Sequence, residues 1–519
     1  MAEKKQKEVK HLFGTSEKSD FILNMTHEGA QKLCGVYSII GLILVALVAV
    51  PYYFTQNIID YTDENGLTHY FNEKFIFITA MTVLIVGFIG FCVFLVANMK
   101  KLIDLKSNKS LLVLLVFVIL SVISCITAVD TFSAIYGYFD RSEGLFAILG
   151  YCGFFLMGFV ITSDKWRVKV SDFIVGIGLF QAVTGILQAI PATAKFIPNY
   201  FENLFIKLYT SDAAIADNQF ALIDETSIKQ GLAGIYEKGY AASGFACSPH
   251  ALAGILSVAF AVALGGLIFD ESKKRRIFYG ISAPIISAAA LLTQTVTGTV
   301  GIGAGLLVTI IIAIVKAVKD KSSKKIMPKL AWGIVSAGVI AGVLFATSAA
   351  AFNDEKVIVT DAHSRLSVAT TNLLTYHEKT VTGESQQWIY PYLWDDGLYV
   401  SQQNPAFGVG PDNGSAIITY GGNLDRCYNE YIDIMQMRGI PCFICYVIFL
   451  IICIVKMCQA VRGFIKGENN WVAPAVTAAT IAYMTQAFFN ISSVTSSPYL
   501  WITLGLAWSF TAAKSKKTD

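Results

Sequence analysis

Apolar runs long enough to cross a bilayer recur along this chain, and they constrain its fold more than any other feature. They lie at 32–55, 75–98, 110–129, 143–163, 169–190, 248–269, 277–293, 300–316, 330–351, 440–458, 471–489 and 498–513. A helix needs about 20 predominantly apolar residues to span the hydrocarbon core. Composition points the same way. Of the 519 residues, 54% are hydrophobic and 15% charged, against about 25% charged in a soluble domain, and the mean hydropathy is +0.56. The expected fold class is an all-α polytopic integral membrane protein with about twelve transmembrane helices. The pair at 277–293 and 300–316 is short, and Gly298, Gly301 and Gly303 leave a bent or re-entrant segment open there.

Lysine and arginine in the short loops set an orientation. Lys100, Lys101, Lys106 and Lys109 fall on one side, followed on that side by Lys165, Arg167 and Lys169 and by Lys273, Lys274, Arg275 and Arg276. Lys319, Lys321, Lys324, Lys325 and Lys329 continue the series, then Arg462 and Lys466, then Lys514, Lys516 and Lys517. The short loops opposite hold Lys74 and Arg141. This alternation puts both termini in the cytoplasm. Residues 1–31 are polar and Lys-rich, lack the apolar core of a signal peptide, and read as a cytoplasmic tail. Helices one to nine then occupy 32–351, and 440–519 holds the last three helices and a cytoplasmic C-terminal tail.

Two long segments, 191–247 and 352–439, fall outside the membrane in this scheme. Long loops on a compact scaffold are usually functional or disordered. In the first, Phe196, Tyr200, Phe201, Leu204, Phe205 and Leu208 recur at helical spacing. They fit a helix lying on the membrane surface, or one packed on its own loop. The second contains QQWIYPYLWDDGLYV and NPAFGVGPDNG. It is too aromatic for a linker and is expected to fold over the membrane domain.

Ionisable residues are almost absent from the interiors of the runs, Asp172 lying near an inner end. A proton-driven pump needs such groups at mid-membrane depth, and a glycan flippase needs a polar lumen, so both classes are disfavoured. Charge gathers at the outer interface, at Asp140, Arg141 and Glu143 and in 352–439. Most cysteines, among them Cys92, Cys125, Cys152 and Cys453, sit in apolar runs as small hydrophobes. Cys442 and Cys445 form a C-x-x-C inside PCFICYVIFLIICIV with no second pair or His cluster, and read as helix-packing residues. Cys247 and Cys427 both fall near the outer face, which leaves a disulfide between them open.

Five further segments stand out in order: TFSAIYGYFDRSEGLFAILGYCGFFLMGF (131–159), GFACSPHALAGIL (244–256), LLTQTVTGTVGIGAGLL (291–307), NPAFGVGPDN (404–413) and CYNEYIDIMQMRGIPCFICYVIFLI (427–451). Together they resemble the O-antigen ligase and Wzy-type polymerase family of polyprenyl-diphosphate-dependent membrane glycosyltransferases, over 130–455. The first is similar to that family's outer-loop arginine ahead of an aromatic-rich helix. The second is similar to its Asn-Pro-Asn helix start, and the third to its Thr-x-Ser-Arg-Gly segment. The fourth resembles its P-x-x-G-x-G-P-x-N turn, and the last its His-Asn-x-x-Leu followed by a Gly-Ile-Pro helix start.

The resemblance implies a GT-C-like O-antigen ligase fold with two long outer loops, in a bacterial cytoplasmic (inner) membrane with its active face outside. It implies transfer of undecaprenyl-diphosphate-linked glycan to a hydroxyl acceptor: lipid A core sugar for a ligase, another carrier-linked glycan for a polymerase, protein or wall polymer for other relatives. The implied partners are the lipid-linked glycan donor, the hydroxyl acceptor and membrane lipids, with no nucleic acid. Such chemistry needs help in removing the acceptor proton, worth ~10²–10⁴-fold. It also needs cations for the departing lipid diphosphate, which arginine supplies through bidentate hydrogen bonds. Arginines in that role make a metal unnecessary, no Asp-x-Asp motif or ligand cluster calls for one, and no cofactor is expected.

The chain departs from the family pattern at particular positions. Tyr428 stands where the family has its His before Asn; a tyrosine ordinarily titrates near ~10, and Arg426, two residues away, is the cation to lower it. Val296 or Thr297 replaces the arginine of the Thr-x-Ser-Arg-Gly segment, Gln386 or Gln387 the arginine expected before Trp388, and His250 the second Asn of Asn-Pro-Asn. The catalytic candidates are Tyr428 and His250, and the substrate-binding candidates are Arg141, Arg426, Arg365, Asn429 and Trp388. Plainer readings stand beside these: Tyr428 as a packing aromatic, His250 as a polar helix start, Arg141 as an interfacial anchor, Asn429 as a backbone tie, Trp388 as a loop-core aromatic. The same departures leave a second class open, a non-catalytic relative that binds lipid-linked glycan or serves as a subunit of the assembly machinery.

Overall fold

Among the described residues, each apolar run of the sequence overlaps a helix. The structure is a computed structural model and describes residues 24–47, 59–62, 68–71, 73–137, 142–190, 193, 242–246, 248–293, 295–350, 389–414 and 426–512. The helix α1 covers His27–Leu47 and is followed by a short antiparallel hairpin, β1 (Ile59–Thr62) and β2 (Thr68–Phe71), with Ile59 opposite Phe71. Next come α2 (Glu73–Met99), α3 (Leu112–Ile126, entered through a 3₁₀ turn at Lys106–Leu111), α4 (Thr131–Tyr136), α5 (Leu145–Phe159) and α6 (Asp164–Ala189). The middle of the chain supplies α7 (Pro249–Phe269), α8 (Lys273–Leu292), α9 (Val296–Lys319) and α10 (Ser323–Ala350). The last elements are α11 (Ile389–Gln403), α12 (Glu430–Lys466), α13 (Val472–Gln486, closed by a 3₁₀ turn at Ala487–Phe489) and α14 (Ser497–Ala512).

Among the described residues, nine helices are long and apolar enough to cross a bilayer, and α5 is a shorter apolar one. The chain is a helical, polytopic membrane protein. The hairpin is the one pair of β-strands among the described residues and was not read from the sequence. The pair left open as re-entrant consists of two full helices, α8 and α9, with Thr295 capping the second through Gly298 N. The span expected at 440–458 is part of a longer helix, α12, which starts at Glu430. The 196–208 helix, Cys247, Arg141, Arg365 and Trp388 lie outside the described residues.

Large apolar side chains point outward around the bundle, among them Phe88, Leu112, Ile126, Leu307, Val318 and Ile451. Such a surface is stable only against lipid or another apolar partner. Inside, small residues let helices touch backbone to backbone, because van der Waals packing holds a membrane bundle together where lipid is as apolar as leucine. A Cβ on Gly153 would meet the Gly87 carbonyl oxygen at 2.1 Å, so α5 lies directly on α2. The axis of the bundle is α7, buried along almost its whole length and packed on α6, α8, α9 and α13.

Cys442 and Cys445 do pack the helix: their thiols reach the carbonyls of Phe117 and Val113 on the neighbouring segment. The two ends of the bundle differ. One gathers lysines and arginines around Lys165, Lys169, Arg275, Lys316 and Lys329. The other carries the helix starts capped by Asp130, Ser248, Thr295 and Asn429, and there the five motif segments meet.

Candidate functional site

The site is built around a break in α12. Gly439 has φ +81 and ψ 163, a region open essentially to glycine alone, and Pro441 has no N–H to return to Met437. The carbonyls of Gln436 and Met437 are therefore released from the helical ladder. The turn at 404–413 takes them: Val409 N donates to Gln436 O at 3.1 Å and Gly410 N to Met437 O at 2.8 Å, while Ile440 N donates to Pro405 O at 2.9 Å. Gly408 (φ +68) and Gly410 (φ +104) give the turn its left-handed bends. Ser124 Oγ also donates to Met437 O, and Val129 N to Val409 O, which ties the end of α3 to the same turn. The turn that 404–413 resembled in sequence is a turn in the structure.

A buried charge network lies beside it. Arg426 Nη2 pairs with Asp412 Oδ1 at 3.0 Å, the two side chains 2% and 0% exposed. Arg426 Nη1 donates to Ser492 O. The other oxygen of Asp412 accepts from Glu143 N at 3.1 Å, and Tyr151 Oη donates to Glu143 Oε1 at 2.6 Å. Burial pushes the Glu143 carboxyl, in the loop ahead of α5, above its usual range, against the opposing pull of the Arg426 charge. Asn413 adds a further tie, accepting from Asp130 N at 3.0 Å and donating to Asp130 O at 3.1 Å. Asp130, Glu143, the 404–413 turn and Arg426 are thereby locked together.

His250 and Tyr428 stand on this platform. Ser248 caps α7 by accepting from Ala251 N, with Pro249 in the first turn, so His250 sits at the mouth of the bundle on a fixed helix start. Its backbone oxygen accepts from Asn490 Nδ2 at 3.3 Å. Tyr428 has φ +49, as unusual for a tyrosine as the +57 of Asp412. Asn429 follows and caps α12, its Oδ1 accepting from Tyr431 N at 3.1 Å and Ile432 N at 3.3 Å. The rings of His250 and Tyr428 lie 5.1 Å apart at 57°, and both residues are half-buried. An imidazole nitrogen able to accept a proton is thus placed beside a phenol at the end of the bundle.

Of the candidates read from the sequence, Tyr428, His250, Arg426 and Asn429 come together here. Arg426 is engaged by Asp412 and Ser492, and Asn429 serves as the helix cap. The sequence reading missed the deeper layer. Glu430 (4% exposed) accepts from Tyr446 Oη at 3.2 Å, Cys427 N donates to Asp433 Oδ1 at 3.1 Å, and Arg438 is 7% exposed just ahead of the break. Burial, then the Asp433 charge, pushes the Cys427 thiol up, so it is held as a neutral thiol. It also missed the connector at 490–496, which contributes Asn490 to His250, Ser492 to Arg426, and Thr495 Oγ1 to Ala246 O. The polar run NISSVTSS between two apolar spans was the available signal.

Among the described residues no three His, Cys, Asp or Glu side chains are grouped to hold a metal ion. Comparison with known proteins found no matching family model and no matching curated protein.

Proposed function

We propose that this chain is an outer-face membrane glycosyltransferase. It moves undecaprenyl-diphosphate-linked glycan to a hydroxyl acceptor, as an O-antigen ligase-like enzyme or a polysaccharide polymerase in cell-surface polysaccharide biosynthesis. The reading takes the chain as a twelve-span, GT-C-like protein of a bacterial cytoplasmic membrane, with both termini inside and the His250 end outside. The observation that supports it most is the meeting of His250 and Tyr428. Each stands at a position where the family-like segments carry a functional group, and the two rings are in contact on a rigid, hydrogen-bonded platform.

In this reading the acceptor hydroxyl enters between them, and the imidazole of His250 takes its proton as the oxygen attacks the sugar's anomeric carbon. The bond from that carbon to the diphosphate oxygen breaks, and undecaprenyl diphosphate leaves with the bonding pair. The Tyr428 hydroxyl orients the acceptor. Arg426, clamped by Asp412, holds the strained backbone of Tyr428 in place, and Arg141 and Arg365 meet the leaving diphosphate. No metal is needed in this scheme.

A second reading, a non-catalytic subunit that binds lipid-linked glycan, is supported by Arg426 and Asn429 being engaged inside the protein. One experiment separates the two. The purified protein in nanodiscs is given the host's undecaprenyl-diphosphate-linked glycans, and free undecaprenyl diphosphate and extended glycan are assayed. Release that is lost in His250→Ala is the expected result. Donor binding without release, with or without added acceptor or divalent metal, would overturn the enzyme reading in favour of the subunit.

A further inference from the structure

The opposite, lysine-rich end of the bundle holds a cavity of about 1180 Å³ between α6, α8, α9, α10 and the α12–α13 turn. Its charges do not balance. Asp270 is paired with Arg275 at 2.5 Å, Asp320 with Lys316 at 2.9 Å, and Asp164 with Arg167 at 2.7 Å. What remains on the wall is Lys165, Lys169, Arg276, Lys325 and Lys329 against Glu271 and Asp172, and Asp172 already accepts from Tyr279 Oη. Burial and the like charges of Arg276 and Lys325 push the Lys329 ammonium below its ordinary range.

Three residues of the same wall also carry uncharged donors. Trp471 Nε1, Asn470 Nδ2 and Ser322 Oγ are buried atoms with no acceptor among the described residues, and Trp471 is 6% exposed. Such groups are costly to bury unsatisfied. Cations that outnumber carboxylates, together with orphaned N–H and O–H donors, describe a receptor for an oxyanion with several acceptor oxygens.

A second cavity continues from the first. A groove of about 550 Å³ shares Asp172 and Arg275 with the basic cavity, then runs between α1, α6 and α8 past Phe173, Gly176 and Phe180 to Leu47. From Asp172 to Phe180 the helix rises about 12 Å, the reach of the upper half of an acyl chain. The wall there is apolar, and Gly176 leaves open space: no atom lies within 4 Å of a Cβ built on it.

We propose that cavity and groove together bind an anionic phospholipid, with the phosphate ester among Arg276, Lys325, Lys329 and Trp471 and one acyl chain along the groove. The phosphate's oxygens accept from the orphaned donors, and the hydrocarbon covers Phe173 and Phe180. This site is independent of the reading of the His250 end.

Native mass spectrometry of the full-length protein, titrated with phosphatidylglycerol and with phosphatidylcholine of the same acyl chains, tests it. The wild-type protein is expected to hold phosphatidylglycerol at least about tenfold more tightly, since each cation near an anionic headgroup is worth roughly fivefold. Arg276→Gln/Lys325→Gln/Lys329→Gln should abolish the preference. Trp471→Phe, which keeps the ring and removes only the N–H, should weaken it several-fold, and it serves if the triple variant does not fold. Gly176→Leu, placed in open space on a helix, should weaken the lipid and leave binding of free glycerol phosphate unchanged. Equal retention of the two lipids by the wild type would overturn the proposal. So would free glycerol phosphate binding as tightly as the lipid, or Gly176→Leu leaving the lipid untouched.

Discussion

The imidazole of His250 and the phenol of Tyr428 lie in ring contact, 5.1 Å between centroids, although 178 positions of sequence numbering separate the helix start of one from the loop of the other. Each is held from behind, His250 by the capped start of α7 and the Asn490 amide, Tyr428 by Arg426 two residues before it and the Asn429 cap after it. On the proposed function, a proton acceptor fixed this way would meet its substrate without reorganising. His250→Ala is expected to lower turnover by ~10²-fold or more, within the range for a lost general base, with normal amounts of folded protein. Tyr428→Phe preserves the ring contact and removes only the hydroxyl, so its loss should be smaller and fall mainly on KM for the acceptor. Release of undecaprenyl diphosphate by the purified variants measures both.

The Arg426–Asp412 pair should behave as a buried ion pair. Removing one partner leaves the other charge unpaired in a low-dielectric setting, at a cost of about 3–5 kcal/mol. Arg426→Met and Asp412→Leu are each expected to lower the unfolding midpoint in detergent sharply. The double variant should be milder than the sum of the two, because neither charge is left behind. Additive losses would show that the two side chains act independently.

Glu143 offers a finer test. Its carboxyl is 3% exposed and accepts a short hydrogen bond from Tyr151, and burial raises its proton affinity. Glu143→Gln keeps an acceptor oxygen for Tyr151 and has no charge to desolvate. It should therefore stay within ~1 kcal/mol of wild type, whereas Glu143→Ala removes the carboxylate acceptor of the buried Tyr151 hydroxyl and should cost about 1–3 kcal/mol. Thermal unfolding followed by size-exclusion chromatography distinguishes the two outcomes.

The helices were legible because lipid asks the same thing of every span, an unbroken apolar run, and among the described residues each run expected from the sequence overlaps a helix, nine of them long and apolar enough to cross a bilayer. The site was legible only in its chemistry-bearing letters. His250 and Tyr428 were singled out separately, but nothing in the order of residues says that 250 and 428 touch. That contact depends on long-range hydrogen bonds such as Asn490 to His250 O and Arg426 to Ser492 O. Arg438 and Glu430 escaped notice for a local reason. The apolar run was drawn from 440, so the polar first turns of α12 counted as loop, although they are helical and buried. In NPAFGVGPDN the glycines and prolines announced a turn. Its seat on the carbonyls released at Gly439 is a property of two backbones together and has no signature in either segment alone.

That seat leads to the sharpest stability contrast in the molecule. A Cβ on Gly439 would lie 2.5 Å from the Ala406 carbonyl oxygen, on a backbone with φ +81 that L-residues rarely adopt. Gly439→Ala must either bear strain of order 1–3 kcal/mol or straighten α12, and straightening takes the Gln436 and Met437 carbonyls away from Val409 and Gly410. Either route loosens the turn that carries Asp412, and with it the Arg426 clamp ahead of Tyr428. The expected result is a destabilised protein whose turnover falls further than its folded fraction. Gly303, in the middle of α9, is the matched control: no atom lies within 4 Å of a Cβ there, and its φ is ordinary. Gly303→Ala should be neutral or stabilise by up to ~1 kcal/mol through helix propensity, with turnover unchanged. Should the two glycines respond alike to alanine, the break at Gly439 would not be what holds the 404–413 turn against α12.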